Sequence, residues 1–113
     1  MELNHRVTDG VNVLELSGRF DAYEVPTVVK WFDAHPDIVN VIVNLSGVGF
    51  IDSSGLSTLV KGLKRCRQNG GDLHLCGLQQ PVLIIFELTR LDKAFSIFAD
   101  EAAARAAFKP VEG

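Results

Sequence analysis

Asp52, Ser53, Ser54 and Gly55 stand in line within "GFIDSSGL", residues 49–56. A carboxylate beside two hydroxyls could serve three chemistries. A serine could attack an ester, a serine could be presented for something to be done with it, or the oxygens could only cap a helix. Asp and Ser are favoured N-caps, worth about 1 kcal/mol relative to Ala. One cap needs one residue, however, and Gly55 is a poor helix former unless another group must approach its backbone closely. Capping therefore accounts for part of the cluster.

The nucleophilic reading lacks its partners. In place of G-x-S-x-G, Ile51 occupies the first glycine position. The chain has 3 histidines, His5, His35 and His74, each reading as an exposed or incidental residue, and none is placed to act as base for a serine. A triad needs both a base and a group that orients it. A phosphate cradle is also weakly supported. Gly47, Gly49 and Gly55 surround the segment, but no G-x-x-x-x-G-K-[ST] occurs and Lys61 comes too late. Lys61, Lys64 and Arg65 make a basic stripe that reads as a solvated face able to receive an acidic partner.

The flanking elements show how the cluster is carried. "DIVNVIVNL" is β-branched and apolar on nearly both faces, the pattern of a central strand covered on both sides. After the cluster, Leu56, Leu59, Val60 and Leu63 repeat at helical spacing and define one buried stripe. Asn69-Gly70-Gly71 ends that helix with residues that tolerate positive φ. Upstream, two alternating runs flank Asp9-Gly10, a hairpin signal, with Val11, Val13 and Leu16 directed to the core. Val25, Val28, Val29 and Phe32 predict a helix with Pro26 in its first turn and Pro36 as its stop. "DLHLCGL" and "AFSIF" read as short strands, "QQPVLIIFELTRL" and "DEAAARAAF" as helices. The order β, β, α, β, α, β, α, β, α predicts a mixed sheet with a parallel component and helices over at least one face. Loops at the carboxyl ends of such strands commonly carry function, and "GFIDSSG" is placed as one.

Size and composition exclude several classes. A chain of 113 residues fits one domain. Burying roughly two thirds of its unfolded surface, it needs neither metal nor disulfide to fold. With 11 basic against 14 acidic residues the formal charge is −3, which argues against direct nucleic-acid binding. The longest unbroken apolar run, "VLIIF", is far below the roughly 20 residues of a membrane span, and "MELNHRVTDG" lacks a secretory apolar core. Cys66 and Cys76 have neither C-x-x-C spacing nor nearby ligand types, and read as free buried thiols of a cytoplasmic protein.

The segment "VNVIVNLSGVGFIDSSGLSTLVKGLKRCRQNGGDLHLCGL" closely resembles the core of the bacterial STAS-domain anti-sigma factor antagonists. The shared pattern is an apolar strand, a leucine-serine pair, D-S-S-G-L, an amphipathic helix, G-G and a short strand. The likeness extends upstream to "LSGRFD" and downstream through "LTRLDKAFSIF" to the alanine-rich last helix. Arg90 stands where a glycine is common, and Val25-Pro26 and Trp31 are unusual for the first helix. The resemblance implies an α/β fold, a single STAS domain over residues 1–113. Its mixed sheet would have about four to five strands, with four helices packed mainly on one face.

The resemblance further implies that Ser53 is phosphorylated by an anti-sigma factor that is also a serine kinase. The unphosphorylated antagonist binds that kinase and frees a sigma factor, and a serine phosphatase resets the cycle. Asp21 would lie beside the phosphoacceptor, and Asp52, Ser54, Gly55 and Leu56 would complete the partner surface. No catalytic residue, cofactor, metal or membrane insertion is implied. Two rivals are a STAS scaffold or subunit in another signalling or membrane-associated assembly and, less favoured by the residues, a small serine hydrolase.

Overall fold

The computed structural model describes residues 1–108. Strands β1 (Glu2–Thr8) and β2 (Val11–Phe20) pair antiparallel, with Thr8 opposite Val11 across the two-residue connection. Asp9 and Gly10 both take positive φ, 53° and 78°, as a type I′ turn requires. Helix α1 (Val25–Asp33) then crosses to β3 (Asn40–Ile51), α2 (Ser53–Gln68) to β4 (Asp72–Cys76), and α3 (Gln80–Leu88) to β5 (Ser96–Phe98). The sheet order is β1-β2-β3-β4-β5, and every pair after the first is parallel. A 3-10 turn (Leu91–Lys93) precedes β5, and α4 (Glu101–Ala106) follows it, capped by the Asp100 carboxylate on the Ala103 amide.

Alternation along the strands splits the core in two. Leu14, Leu16, Val41, Val43, Leu73 and Leu75 meet Val28 and Phe32 of α1, Leu56, Leu59 and Leu63 of α2, and Val82 and Phe86 of α3. On the other face Val11, Val13, Ile42 and Cys76 are covered by Ala104 of α4. Three helices thus share one face and the shortest covers the reverse, in line with the expected architecture. Both cysteines are free and buried, and burial pushes their thiols up, Cys66 to about 12 and Cys76 to about 11. Neither is a thiolate near neutral pH.

Three local expectations need correction. The strand expected over residues 37–45 starts at Asn40 and runs on to Ile51, so "GFI" is strand and only Asp52 separates it from α2. Beyond Asn44 the strand loses β4 but keeps β2, through Ser17↔Gly47 and Phe20↔Ile51 with two register shifts. Gly47 permits this approach, since a Cβ there would sit 2.7 Å from Ser17 Cβ. In α1 the buried stripe is Val28, Trp31 and Phe32, and Val29 faces outward. His74, read as an exposed or incidental residue, is buried at 3% exposure. Its Nδ1 bonds Ala104 O at 2.8 Å and its ring stacks on Phe108 at 3.8 Å.

Outside this second core, Arg6 of β1 bonds both Glu15 of β2 and Glu101 of α4, and Asn44 donates to Glu101 at 3.2 Å. Burial pushes the Glu101 carboxyl upward. The hydrogen bonds from Arg6 and Asn44, with the charges of Arg6 and Arg105, outweigh it and hold the group below its ordinary value. A depressed carboxylate stabilises the fold above its unfolded pKa, and that contribution is lost as pH falls through the lower, folded value. Glu101→Gln is therefore expected to lower the melting point at pH 7. The deficit should shrink below about pH 4, as followed by thermal melts over pH 3 to 7. A deficit independent of pH would contradict this assignment.

Candidate functional site

The site lies where β2 and β3 end together. The Asp52 amide donates to Phe20 O at 3.2 Å, which closes the two strand ends. The Asp52 carboxylate then splits its oxygens. Oδ1 accepts the Gly55 amide at 3.0 Å and so caps α2, while Oδ2 accepts the Ala22 amide at 3.2 Å from the segment leaving β2. One side chain thereby fastens the start of α2 to the residues around Asp21. Asp52 is the cap, which leaves Ser53 free of that duty.

Ser53 opens α2 and is exposed, and among the described residues its hydroxyl has no hydrogen-bond partner. Ser54 is half-buried and its carbonyl accepts the Thr58 hydroxyl at 2.8 Å. Gly55 is pressed against the strand ends: a Cβ there would meet Phe20 O at 2.6 Å and Ile51 Cγ1 at 2.8 Å. Leu56 is 8% exposed and belongs to the main core. Of the expected partner residues, Gly55 and Leu56 thus set the shape of the site from beneath. Asp21, Ser53 and the edge of Ser54 meet solvent.

Asp21 is brought to the site by the end of β2. Its Oδ1 accepts the Tyr23 amide at 3.1 Å, and Arg19 Nε lies 3.6 Å from its Oδ2. The Arg19 guanidinium also covers the Phe50 ring at 4.0 Å. Sequence reasoning missed Arg19, Phe50 and Tyr23. The pairing of Arg19 with Phe50 across β2 and β3 could be found only once the register was known.

Among the described residues no histidine reaches Ser53. His5 bonds Asn12, His35 bonds the Trp31 carbonyl, and His74 lies under α4. His5 pairs with Leu14, six residues back from Phe20 along β2, or roughly 20 Å from the site at the rise of a strand. Arg65 of the basic stripe is partly engaged, donating to Phe32 O at 2.7 Å, while Lys61 and Lys64 remain exposed. Among the described residues no group of three His, Cys, Asp or Glu side chains could hold a metal, and no helix is long and apolar enough to cross a membrane. What the arrangement offers is an exposed hydroxyl at the positive end of a long helix, next to the Asp52 cap, which is bonded to the segment following Asp21.

A parallel sheet with one antiparallel edge, helices on both faces and a presented serine at the second crossover define a STAS domain. The STAS domain family model matches residues 2–104, and the chain belongs to that family. It is 29% identical over 99 residues to an anti-sigma-B factor antagonist of Listeria monocytogenes, covering 86% of each chain. It is 30% identical over 95 residues to an anti-sigma-B factor antagonist of Staphylococcus aureus, covering 80% of this chain and 88% of that one. Among solved structures, a putative anti-sigma factor antagonist from Thermotoga maritima superposes with TM-score 0.84 at 23% identity, covering 92% of each chain. The Bacillus cell fate determinant SpoIIAA in its phosphorylated form superposes with TM-score 0.73 at 18% identity, covering 93% of this chain and 98% of that one. These two structural likenesses establish the fold.

Proposed function

We propose that the protein is a cytoplasmic anti-sigma factor antagonist that acts by binding rather than by catalysis. Its partner is an anti-sigma factor with serine kinase activity, which it holds while Ser53 is unphosphorylated, so that a sigma factor goes free. The kinase phosphorylates Ser53 and ends the complex, and a serine phosphatase restores it. One observation carries the reading: Ser53 is exposed at the start of α2 and, among the described residues, its hydroxyl is unbonded and no histidine lies beside it. Such a hydroxyl can enter a kinase cleft without local unfolding. The names of the Listeria and Staphylococcus relatives support the partner class.

Phosphorylation adds about −1.5 to −2 charges at pH 7. Asp21 and Asp52 already make the vicinity acidic. One desolvated, unpaired charge removes several kcal/mol from a complex held by about 8 to 10 kcal/mol, which is enough for release. The helix dipole favours the new charge by roughly 0.3 to 1 kcal/mol, and Asp52 opposes it by a similar, screened amount. The fold and melting point should therefore hardly change on phosphorylation. Amide NMR shifts should be confined to residues near Asp21 and the first turns of α2. Shifts throughout the domain, or a melting point lower by many degrees, would replace this mechanism with a conformational switch.

The reading is tested by mapping phosphosites on protein purified from its native cell and measuring binding of both forms to the anti-sigma kinases of that cell. Binding restricted to the unphosphorylated form is expected. A native protein never phosphorylated at Ser53, or one assembled stably with other proteins in both states, would sink it. Asp21→Ala should change the phosphorylation rate or the affinity, and because it removes the acceptor of the Tyr23 amide it should cost about 1 kcal/mol of stability. Unchanged kinetics and affinity would remove Asp21 from the partner surface.

A further inference from the structure

Tyr23 is 91% exposed, the most exposed of the large apolar side chains, and it stands on a rigid piece of backbone. The amides of residues 22 to 25 are all bonded: Ala22 to Asp52 Oδ2, Tyr23 to Asp21 Oδ1, and Glu24 and Val25 both to Asp21 O at 3.0 Å. A lone exposed aromatic is ordinary on a protein surface. This one differs in its mounting, because the backbone beneath it is fixed through Asp52 to the cap of the helix that presents Ser53. Little backbone entropy remains to be lost on binding there, and a Tyr side chain orders only two χ angles.

The geometry points to Tyr23 as the aromatic anchor of the partner interface, inserted into an apolar slot of the serine kinase. This rests on the kinase-binding reading above. The slot would carry a hydrogen-bonding group at its mouth for the phenol. A cationic group beside it would face Asp21, whose one ionic neighbour among the described residues is the exposed Arg19 at 3.6 Å. Buried aromatic anchors of this kind hold most of an interface's affinity, and Tyr is among the residues enriched there. Leu88, 79% exposed at the end of α3, is a comparable apolar side chain with no bonded link to the Ser53 segment, and it serves as the control.

Each anti-sigma serine kinase encoded in the source genome, purified singly, is the probe. Affinity is measured by calorimetry and Ser53 phosphorylation by steady-state kinetics, for wild type, Tyr23→Ala, Tyr23→Phe and Leu88→Ala. Tyr23→Ala should weaken binding about 30-fold or more and raise KM in proportion, with kcat and melting point near wild type. Tyr23→Phe should keep affinity within about 10-fold, and Leu88→Ala should match wild type. An unaffected Tyr23→Ala, a Tyr23→Phe as weak as the Ala variant, or an equal loss in Leu88→Ala overturns the anchor while wild-type binding upholds the functional reading. Absence of wild-type binding to every kinase overturns both.

Discussion

Replacing Ser53 by alanine is expected to abolish phosphorylation by the cognate kinase while leaving kinase affinity within about threefold of wild type. The cap of α2 belongs to Asp52, so the substitution removes no structural hydrogen bond. Alanine is the best helix former, and the fold should not suffer. Ser53→Asp places a permanent charge at the contact. It should weaken binding by roughly 100-fold if that charge is desolvated without a partner, since each 1.4 kcal/mol is tenfold. Radiolabel incorporation with site mapping, together with calorimetry, checks both variants. Phosphate still entering the alanine variant at Ser54 would move the acceptor by one residue.

A large loss of stability is expected from Gly55→Ala. In an ordinary exposed helix this change is favourable by about 1 kcal/mol. Here the added carbon would lie 2.6 Å from the Phe20 carbonyl oxygen and 2.8 Å from Ile51 Cγ1. The oxygen cannot retreat freely, because it also accepts the Asp52 amide and its strand is paired to β3 at Phe20↔Ile51. Overpacking costs about 1 to 3 kcal/mol, and contact with fixed backbone puts this case at the upper end. The net loss should be about 2 kcal/mol, or roughly 10 °C in melting point for a domain of this size. A thermal melt decides it, with Ser57→Ala on the exposed face of α2 as reference. A melting point equal to or above wild type would mean that helix propensity prevails and the strand ends are not closely packed.

The local features of the site were legible in the sequence because they are carried by neighbours in the chain. The order of elements follows from periodicity, and "DSSGL" after a strand-like run places a serine at the head of a helix. Arg90 is instructive. It stands where the family commonly has glycine, and it adopts φ 64°, the left-handed region that glycine enters without strain. The rest depends on groups distant in the chain. Nothing local in "SGVGFI" announces a strand, since its pairing is supplied by residues 17 to 20. Burial of His74 is set by a helix 30 residues further on, and the second bond of Asp52 reaches a residue 30 positions back. Tyr23 is not legible in the sequence, because exposure on a pinned turn leaves no periodic trace.

The divided carboxylate of Asp52 has an evolutionary corollary. Both its oxygens are occupied, one by the Gly55 amide and the other by the Ala22 amide. Asparagine at this position has a single acceptor oxygen and can satisfy only one of them. A lineage that retunes the turn bearing Asp21 and Tyr23 cannot do so by altering Asp52 without also loosening the helix that offers Ser53. On the proposed reading, recognition by the kinase and presentation of its target would be inherited together, and divergence toward a new partner would proceed through residues 19, 21 and 23 while 52 stays fixed.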